Sequence, residues 1–333
     1  MSPRSLLITS TLIIVLLLIW QLRWVLIVFF GAIVISVALD VLIRNLQKRI
    51  KLPRNLALLL VLSLLMTSGL FIFQLLVPEL ITQIKELGNL LPILAAKVKS
   101  ILANHPRLII LQETIPDQFS WQGIQPIGTH LIGFAGGAAN SFVQILLISL
   151  LAILLVLDPK SHRRIVISLT PKPYRSNVNE LLDECRVALG AWLTGMTISA
   201  STVFVVTWAS LAILKIPMAL LSALVCGLLT FVPTIGPSTA TILPVSIALI
   251  ISPTVMMEVL FIRIILQNFE AFLLTPILLK QTVSLLPTIA LLAQLSLGAL
   301  LGLPGVLVAL PLAVVLQVCT KRILVSNIMD SWS

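Results

Sequence analysis

Three polar side chains share one face of a segment that is otherwise apolar enough to lie in a lipid bilayer. Arg263, Gln267 and Glu270 are spaced i, i+4 and i+7 within residues 257–286, so a helix aligns them in one stripe. At about 1.5 Å of rise per residue, Glu270 lies near the middle of a span. An ionisable group at that depth costs about 2.5 to 3.5 kcal/mol and usually marks a lined cavity or a solute path. The alternative is a structural ion pair or, for Arg263 near the end of the span, a side chain that reaches the membrane surface.

Apolar segments interrupted by Gly and Pro flank this stretch on both sides. Residues 217–252 are broken at 231–237 (FVPTIGP), and residues 287–320 are broken at 302–305 (GLPG). Paired interruptions in corresponding positions are typical of a transporter's binding site, because broken backbone at membrane depth must be packed in protein or face a water-filled cavity. Ordinary helical hairpins with surface turns explain the pattern equally well. The candidate path residues are Arg263, Gln267, Asn268, Glu270, Pro233, Gly236, Pro237, Gly302, Pro304 and Gly305.

The composition indicates a polytopic membrane protein. Of 333 residues, 59% are apolar and only 10% are charged, and the mean hydropathy is +1.13. Soluble domains are about 25% charged. The net charge of +10 comes from lysines and arginines in short loops beside apolar spans, a pattern that sets membrane topology. No basic patch is interleaved with aromatic residues, so nucleic-acid binding is not expected.

The residues that usually carry catalysis or bind metals form no recognisable motif. Cys185, Cys226 and Cys319 are isolated, with neither disulfide-framework nor metal-ligand spacing, and the three histidines fall outside the predicted spans. A carboxylate at Glu270 without a nucleophile, a base partner or metal ligands is too little for an intramembrane enzyme. We therefore expect a protein that is not an enzyme and that uses no metal or cofactor.

The order of apolar and charged segments predicts an all-α fold, a polytopic membrane helix bundle with two Gly/Pro-broken helical hairpins and an extramembrane amphipathic segment. Asp40, near the end of the second span, is expected to pair with Arg44 at i+4. The expected divisions are three transmembrane helices in residues 1–77, an extracytoplasmic amphipathic helical segment in 78–140, a transmembrane helix in 141–157, a cytoplasmic amphipathic segment in 158–189, a core with both broken hairpins in 190–320, and a cytoplasmic tail in 321–333.

The segment after the third span has an apolar seam with heptad spacing. Pro92 interrupts it and is expected to kink the helix. The seam is too apolar to remain in water, so we expect it to pack on protein, either within the chain or against another copy in a homo-oligomer. The seam consists of Val77, Leu80, Ile84, Leu87, Leu91, Leu94, Val98 and Ile101.

Several short motifs follow one another in the second half of the chain: 231–237 (FVPTIGP), Gln267, Glu270, Pro276, Lys280, 283–287 (VSLLP), Gly298, Gly302, Gly305 and Pro311. In their order and spacing they resemble the AI-2E transporter family, the bacterial inner-membrane proteins also called the PerM group. The resemblance implies secondary transport or export of a small hydrophilic molecule, with autoinducer-2 as the namesake, and it also implies sodium- or lithium-proton antiport, which other members carry out. No ATP-binding motif is present, so transport is expected to be passive or ion-coupled. A membrane scaffold that transports nothing is the alternative from another class.

Loop charges predict the topology and a direct test of it. Residues 44–54 carry five basic residues and residues 158–186 carry six, whereas residues 78–140 balance four basic against four acidic ones. By the positive-inside rule, both termini and the two basic loops are cytoplasmic and residues 78–140 are outside. Single cysteines at Gln47 and Gln118, in a cysteine-free background, should react with an impermeant maleimide from opposite faces of the membrane. Labelling of both from one face would contradict this topology.

Overall fold

The computed structural model describes residues 14, 17–18, 20–103, 138–232, 235–274 and 286–323, and the regular elements in these ranges are all helical. Most of the first predicted span, residues 6–20, lies outside the described residues, as do residues 104–137, Pro233 and the tail from residue 324. A 3₁₀ turn, Lys172–Tyr174, precedes α5, and a π-helical turn, Glu270–Leu274, follows α8. The helices are α1 Arg23–Arg49, α2 Arg54–Ala103, α3 Ala138–Leu157, α4 Pro159–Ser168, α5 Arg175–Ile213, α6 Ala219–Leu229, α7 Ile235–Ile251, α8 Pro253–Phe269 and α9 Pro287–Thr320.

Four helical stretches in the described ranges are long and apolar enough to cross a membrane: Arg23–Arg49, Arg54–Val98, Lys172–Ile213 and Pro304–Ile323. Shorter apolar helices accompany them, including α6 and Thr288–Gly302, the limb of α9 before its break. The predicted all-α membrane bundle is therefore confirmed.

The chain forms two compact units that interleave in sequence. The first unit contains Met1–Leu58, Val143–Gly190 and Leu285–Ser333, and the second contains Leu59–Phe142 and Ala191–Ser284. The helices α2 and α5 each continue from one unit into the other.

A buried carboxylate joins four helices of the first unit. Asp40 of α1 accepts hydrogen bonds from Arg44 Nε at 2.7 Å and from Arg54 Nη2 at 2.8 Å, at the start of α2. Arg54 also donates to the carbonyl of Val156 at the end of α3, 3.2 Å away. Arg186 of α5 is 3.8 Å from the same carboxylate. The predicted Asp40–Arg44 pair is confirmed, and it is part of a larger cluster.

The third predicted span and the first part of the amphipathic segment, as far as Ala103, form one helix, most of which belongs to the second unit. Helix α2 has 50 residues, about 75 Å at helical rise, and continues through both Pro78 and Pro92. Each proline removes one backbone hydrogen bond, a loss that tertiary packing can offset. Leu80 and Leu87 pack against an apolar cluster built from the end of α5, the start of α6, α7 and α8. The predicted packing of the seam is thus confirmed at these two residues.

Helix α2 also caps the two ends of the α6–α7 segment. Helix α6 begins after Met218, which adopts a left-handed conformation and provides no side-chain cap. The amide of Leu221 in its first turn instead donates to Oε1 of the buried Gln83, at 2.8 Å, which satisfies a backbone N–H that no residue of α6 can satisfy. At the other end, Lys97 Nζ donates to the carbonyl of Ile250, 2.8 Å away in the last turn of α7.

Both predicted breaks are present, and both depend on a glycine that packs against the preceding limb. The first separates α6, with 11 residues, from α7, with 17. A Cβ on Gly236 would lie 1.8 Å from the carbonyl oxygen of Leu229. In α9, Gly302 leaves helical geometry at φ 66°, and a Cβ on Gly305 would lie 2.1 Å from the carbonyl oxygen of Leu297. Only glycine permits these approaches.

We expect Gly236→Ala and Gly305→Ala each to lower the free energy of unfolding by about 1–3 kcal/mol or more, because the added methyl overlaps a backbone oxygen. Gly69→Ala in α2 is the matched control, since nothing lies within 4 Å of the position of its Cβ. That change should be neutral or stabilising by up to about 1 kcal/mol. Thermal melting of the purified variants in detergent measures the difference. Equal melting temperatures for all three would show that the glycine contacts are unimportant.

Candidate functional site

The candidate site lies in the second unit, on the side of α8 that faces α5 and α7. Helix α8 begins where the hydroxyl of Ser252 accepts the amide of Val255 at 3.1 Å, with Pro253 at the first helical position. It ends at Phe269, and the chain continues into the π-helical turn that starts with Glu270. Single π-helical turns within helices occur frequently at functional sites.

Arg263 points into the protein and is only 2% exposed. Its Nη1 donates to Oγ1 of Thr207 on α5 at 2.9 Å, and its Nε donates to Oγ1 of Thr241 on α7 at 3.3 Å. The alternative in which Arg263 reaches the membrane surface is therefore wrong, because the hydroxyls of the buried Thr207 and the half-buried Thr241 hold the guanidinium inside the bundle. Within the part of the chain that the structure describes, Arg263 forms no ion pair with a carboxylate.

Glu270 has a similar hydroxyl partner on the same neighbouring helix. Its Oε1 accepts a hydrogen bond from Oγ of Ser199, at 2.7 Å, and Ser199 is 5% exposed. Ser199 and Thr207 are two helical turns apart on α5, and Glu270, just after the end of α8, follows Arg263 by about two turns. Helix α5 therefore provides one hydroxyl for each charged group, and the pairing order requires α5 and α8 to run antiparallel.

A layer of apolar side chains separates the two charged groups. Val203 of α5, Cys226 of α6, Ala240 of α7 and Leu266 of α8 form one buried cluster between the Thr207–Arg263 level and the Ser199–Glu270 level. The two levels are about 10 Å apart along the helix. Each charge is consequently held by hydroxyl groups, which compensate a buried charge less well than an ion of opposite sign does.

The residues of the first break are linked to Arg263 through one threonine. Gly236 and Pro237 lie at the start of α7, and the carbonyl of Pro237 accepts a hydrogen bond from Oγ1 of Thr241 at 2.9 Å. Oγ1 of Thr241 also accepts a hydrogen bond from Nε of Arg263. Thr241 therefore connects the first break to the buried cation. This contact is expected if the interrupted segment lies beside the polar helix. Pro233 lies outside the described residues.

The remaining predicted site residues lie elsewhere. Gln267 is half-buried and makes no hydrogen bond to Arg263 or Glu270 in the described ranges. Asn268 is on the exposed face of α8, and its Nδ2 donates to the carbonyl of Ile264 in its own helix at 2.9 Å. The residues of the second break, Gly302, Pro304 and Gly305, belong to the first unit, and their place beside the polar face of α8 stays a prediction.

Sequence reasoning missed the three hydroxyl partners, Ser199, Thr207 and Thr241. For Ser199 and Thr207, the available signal was the abundance of Ser and Thr in the apolar part of α5. In a membrane span, Ser and Thr side chains also bond to polar groups on neighbouring helices. The chemistry that these groups support is reversible binding, because a guanidinium with hydroxyl neighbours attracts oxygen acceptors and a carboxylate attracts a cation or a proton.

A double-mutant cycle tests whether Arg263 carries an under-compensated charge. Thr207→Val should lower the free energy of unfolding by about 1–3 kcal/mol, because it removes a hydrogen bond from a buried cation. Adding Arg263→Met should recover most of that loss, since apolar replacement of a buried charge is often neutral or stabilising. Thr197→Val is the control on the same helix, where an exposed hydroxyl bonds only to the carbonyl of Leu193. A double variant less stable than Thr207→Val alone would mean that Arg263 is already fully compensated.

Comparison with known proteins agrees with this architecture. The family model described as AI-2E family transporter matches residues 9–324. YrrI of Bacillus subtilis (strain 168), named as a candidate transport protein, is 26% identical over 280 residues, which cover 80% of this chain and 78% of YrrI. Another protein named in the same way, sll0060 of Synechocystis sp. (strain ATCC 27184 / PCC 6803 / Kazusa), is 28% identical over 298 residues, 86% of this chain and 85% of its own. Because the family match extends over nearly the whole sequence, this chain belongs to the AI-2E family of membrane transporters.

Proposed function

We propose that the protein is a secondary transporter that moves a small hydrophilic solute, with autoinducer-2 as the first solute to examine, along the Arg263–Glu270 face of α8. It is not an enzyme in this proposal, it needs no cofactor, and it lies in the bacterial inner membrane with both termini in the cytoplasm. The family membership supports transport. The proposed solute and its path rest on the chemistry of the site.

The observation that carries the proposal is the burial of Arg263 with two hydroxyl partners and no carboxylate partner among the described residues. A desolvated guanidinium is unfavourable unless its donors are well used, and its rigid fork suits oxygen-rich groups. A solute rich in hydroxyl or anionic oxygens could accept hydrogen bonds from the guanidinium and adjacent hydroxyls. The break at Gly236 and Pro237, joined to Arg263 through Thr241, provides irregular backbone beside this position.

A second candidate function, sodium- or lithium-proton antiport, is favoured by Glu270. This carboxylate is half-buried, is bonded to a hydroxyl and lies at the start of a π-helical turn. Carboxylates at membrane depth frequently exchange protons or bind cations in transporters. The apolar layer between Glu270 and Arg263 prevents a direct ion pair that would hold the carboxylate permanently ionised.

Flux into liposomes tests the two candidates with Arg263→Met and Glu270→Gln, and with Glu258→Gln as the matched control. Purified protein is reconstituted with a pH-sensitive dye inside, and either autoinducer-2 or a Na⁺ or Li⁺ gradient is applied. Glu270→Gln keeps the shape of the side chain but cannot titrate, so it should reduce any proton-coupled flux to the rate of empty liposomes. Glu258→Gln makes the same chemical change at an exposed position of the same helix and should leave the rate unchanged.

Each outcome assigns a function. Movement of autoinducer-2 that Arg263→Met abolishes in a folded protein supports the solute path, and cation-driven proton flux that Glu270→Gln abolishes supports antiport. Equal rates for Glu270→Gln and Glu258→Gln would show that Glu270 is structural. If the wild-type protein moves none of the probes faster than empty liposomes, a scaffold without transport activity is the better description.

A further inference from the structure

Four arginines from four different helices surround two carboxylates in the first unit. Asp40 accepts hydrogen bonds from Arg44 and Arg54. Arg186 approaches both carboxylates, with its Nη1 3.8 Å from Asp40 and its Nη2 4.0 Å from Asp183. Because Arg186 approaches both carboxylates, the four guanidinium groups form one group, which we call the arginine cluster. Its members are Arg44 of α1, Arg54 of α2, Arg163 of α4 and Arg186 of α5.

The arginine cluster carries more positive than negative charge. Its four guanidinium groups are paired with two carboxylates, Asp40 and Asp183, which leaves an excess of two positive charges. The nearby acidic residues Glu180 and Glu184 of α5 do not reduce this excess, since both bind Arg322 of the same unit. An anion that enters the cluster would therefore find uncompensated positive charge.

Arg186 has donors that the protein itself does not use. Both of its contacts with carboxylates are longer than a hydrogen bond, and it donates no hydrogen bond to a residue that the structure describes. Arg163, by contrast, donates to Asp183 at 2.8 Å and to Asn179 at 2.7 Å. The side chain of Arg186 is 35% exposed, so an oxygen acceptor can approach it from outside the protein.

The arginine cluster lies where apolar stretches end. Arg44 is within two turns of the end of the candidate span Arg23–Arg49, and Arg54 begins the next span and bonds to the end of α3. Apolar side chains directly adjacent in sequence to these contacts are exposed, Leu157 by 51% and Val187 by 63%. In a membrane protein such side chains face lipid. Charged groups and lipid-facing surface thus meet at the depth of the lipid headgroups.

We propose that the arginine cluster binds the phosphodiester group of an anionic phospholipid from the surrounding bilayer, with Arg186 as the main contact. The planar fork of a guanidinium matches two oxygens of a phosphate group, and basic pockets between membrane spans bind such headgroups. The exposed Leu157 and Val187 provide apolar surface for the acyl chains. Inorganic phosphate offers the same oxygens without acyl chains, so the two sources can be separated by experiment. This site belongs to the first unit and does not depend on the proposed function.

Lipid titration of the purified full chain, followed by native mass spectrometry, tests the proposal. The protein is delipidated in a neutral detergent, and dioleoylphosphatidylglycerol or dioleoylphosphatidylcholine, which has the same acyl chains, is added. The anionic lipid should bind about tenfold more tightly, because the choline ammonium of the zwitterionic lipid is repelled by the excess positive charge. Inorganic phosphate at the same concentration as the lipid should not displace the phosphatidylglycerol, because it makes no apolar contact.

Arg186→Gln should weaken phosphatidylglycerol binding by about tenfold, because it removes charge-assisted hydrogen bonds to the phosphate. Its melting temperature without lipid should change little, since the contacts of Arg186 inside the protein are long and partly exposed. Arg164→Gln is the matched control: it removes one positive charge from an exposed position of α4 that donates no hydrogen bond to a described residue, and the affinity should be unchanged. Arg186→Lys keeps the charge but not the fork, so its affinity should lie between wild type and Arg186→Gln.

Three outcomes would overturn the proposal. Equal binding of the two lipids would mean that the cluster does not select an anionic headgroup. Equal weakening by Arg186→Gln and Arg164→Gln would indicate general attraction to a basic surface, and unchanged binding in both Arg186 variants would exclude this residue from the site. Displacement of the lipid by inorganic phosphate would identify a site for a free anion. None of these readouts requires transport, so their failure is distinct from failure of the proposed function.

Discussion

The second unit depends on how a buried guanidinium is accommodated. Arg263 cannot reach water from its place between α5, α7 and α8, so the protein must satisfy its donors internally. Two threonine hydroxyls, one on each neighbouring helix, accept hydrogen bonds from two of its N–H groups, and the same contacts fix the three helices against one another. A carboxylate in their place would neutralise the charge, and the guanidinium would then attract another oxygen acceptor less strongly.

The apolar layer keeps the cationic and the acidic position of the site apart. Val203, Leu266 and their neighbours keep Arg263 and Glu270 at separate levels, although both lie on one face of one helix. Opposite charges in a medium of low dielectric attract strongly, and a thinner layer would allow them to collapse into a pair. Packing of ordinary aliphatic side chains therefore preserves two distinct polar positions, one cationic and one acidic.

The sequence predicted the broad architecture well because hydropathy and Gly/Pro interruptions are local signals. Spans, both breaks and the Asp40–Arg44 pair could be read from spacing alone. The continuity of α2 was harder to predict from the sequence. Pro78 and Pro92 suggest interruptions, but their effect depends on packing partners that are far away in sequence. The direction in which the Arg263 side chain points could not be deduced from the sequence. A side chain of this length can reach either the membrane surface or the protein interior, and the contacts with Thr207 and Thr241 determine which it does.

The two contacts from α2 to the ends of the α6–α7 segment determine its axial register. Gln83 satisfies the first turn of α6, and Lys97 satisfies the last turn of α7, from points about 21 Å apart along one rigid helix. A slide of either limb by one residue would leave an amide or a carbonyl without its partner in apolar surroundings. The ends of this hairpin are therefore tied to the axial position of α2.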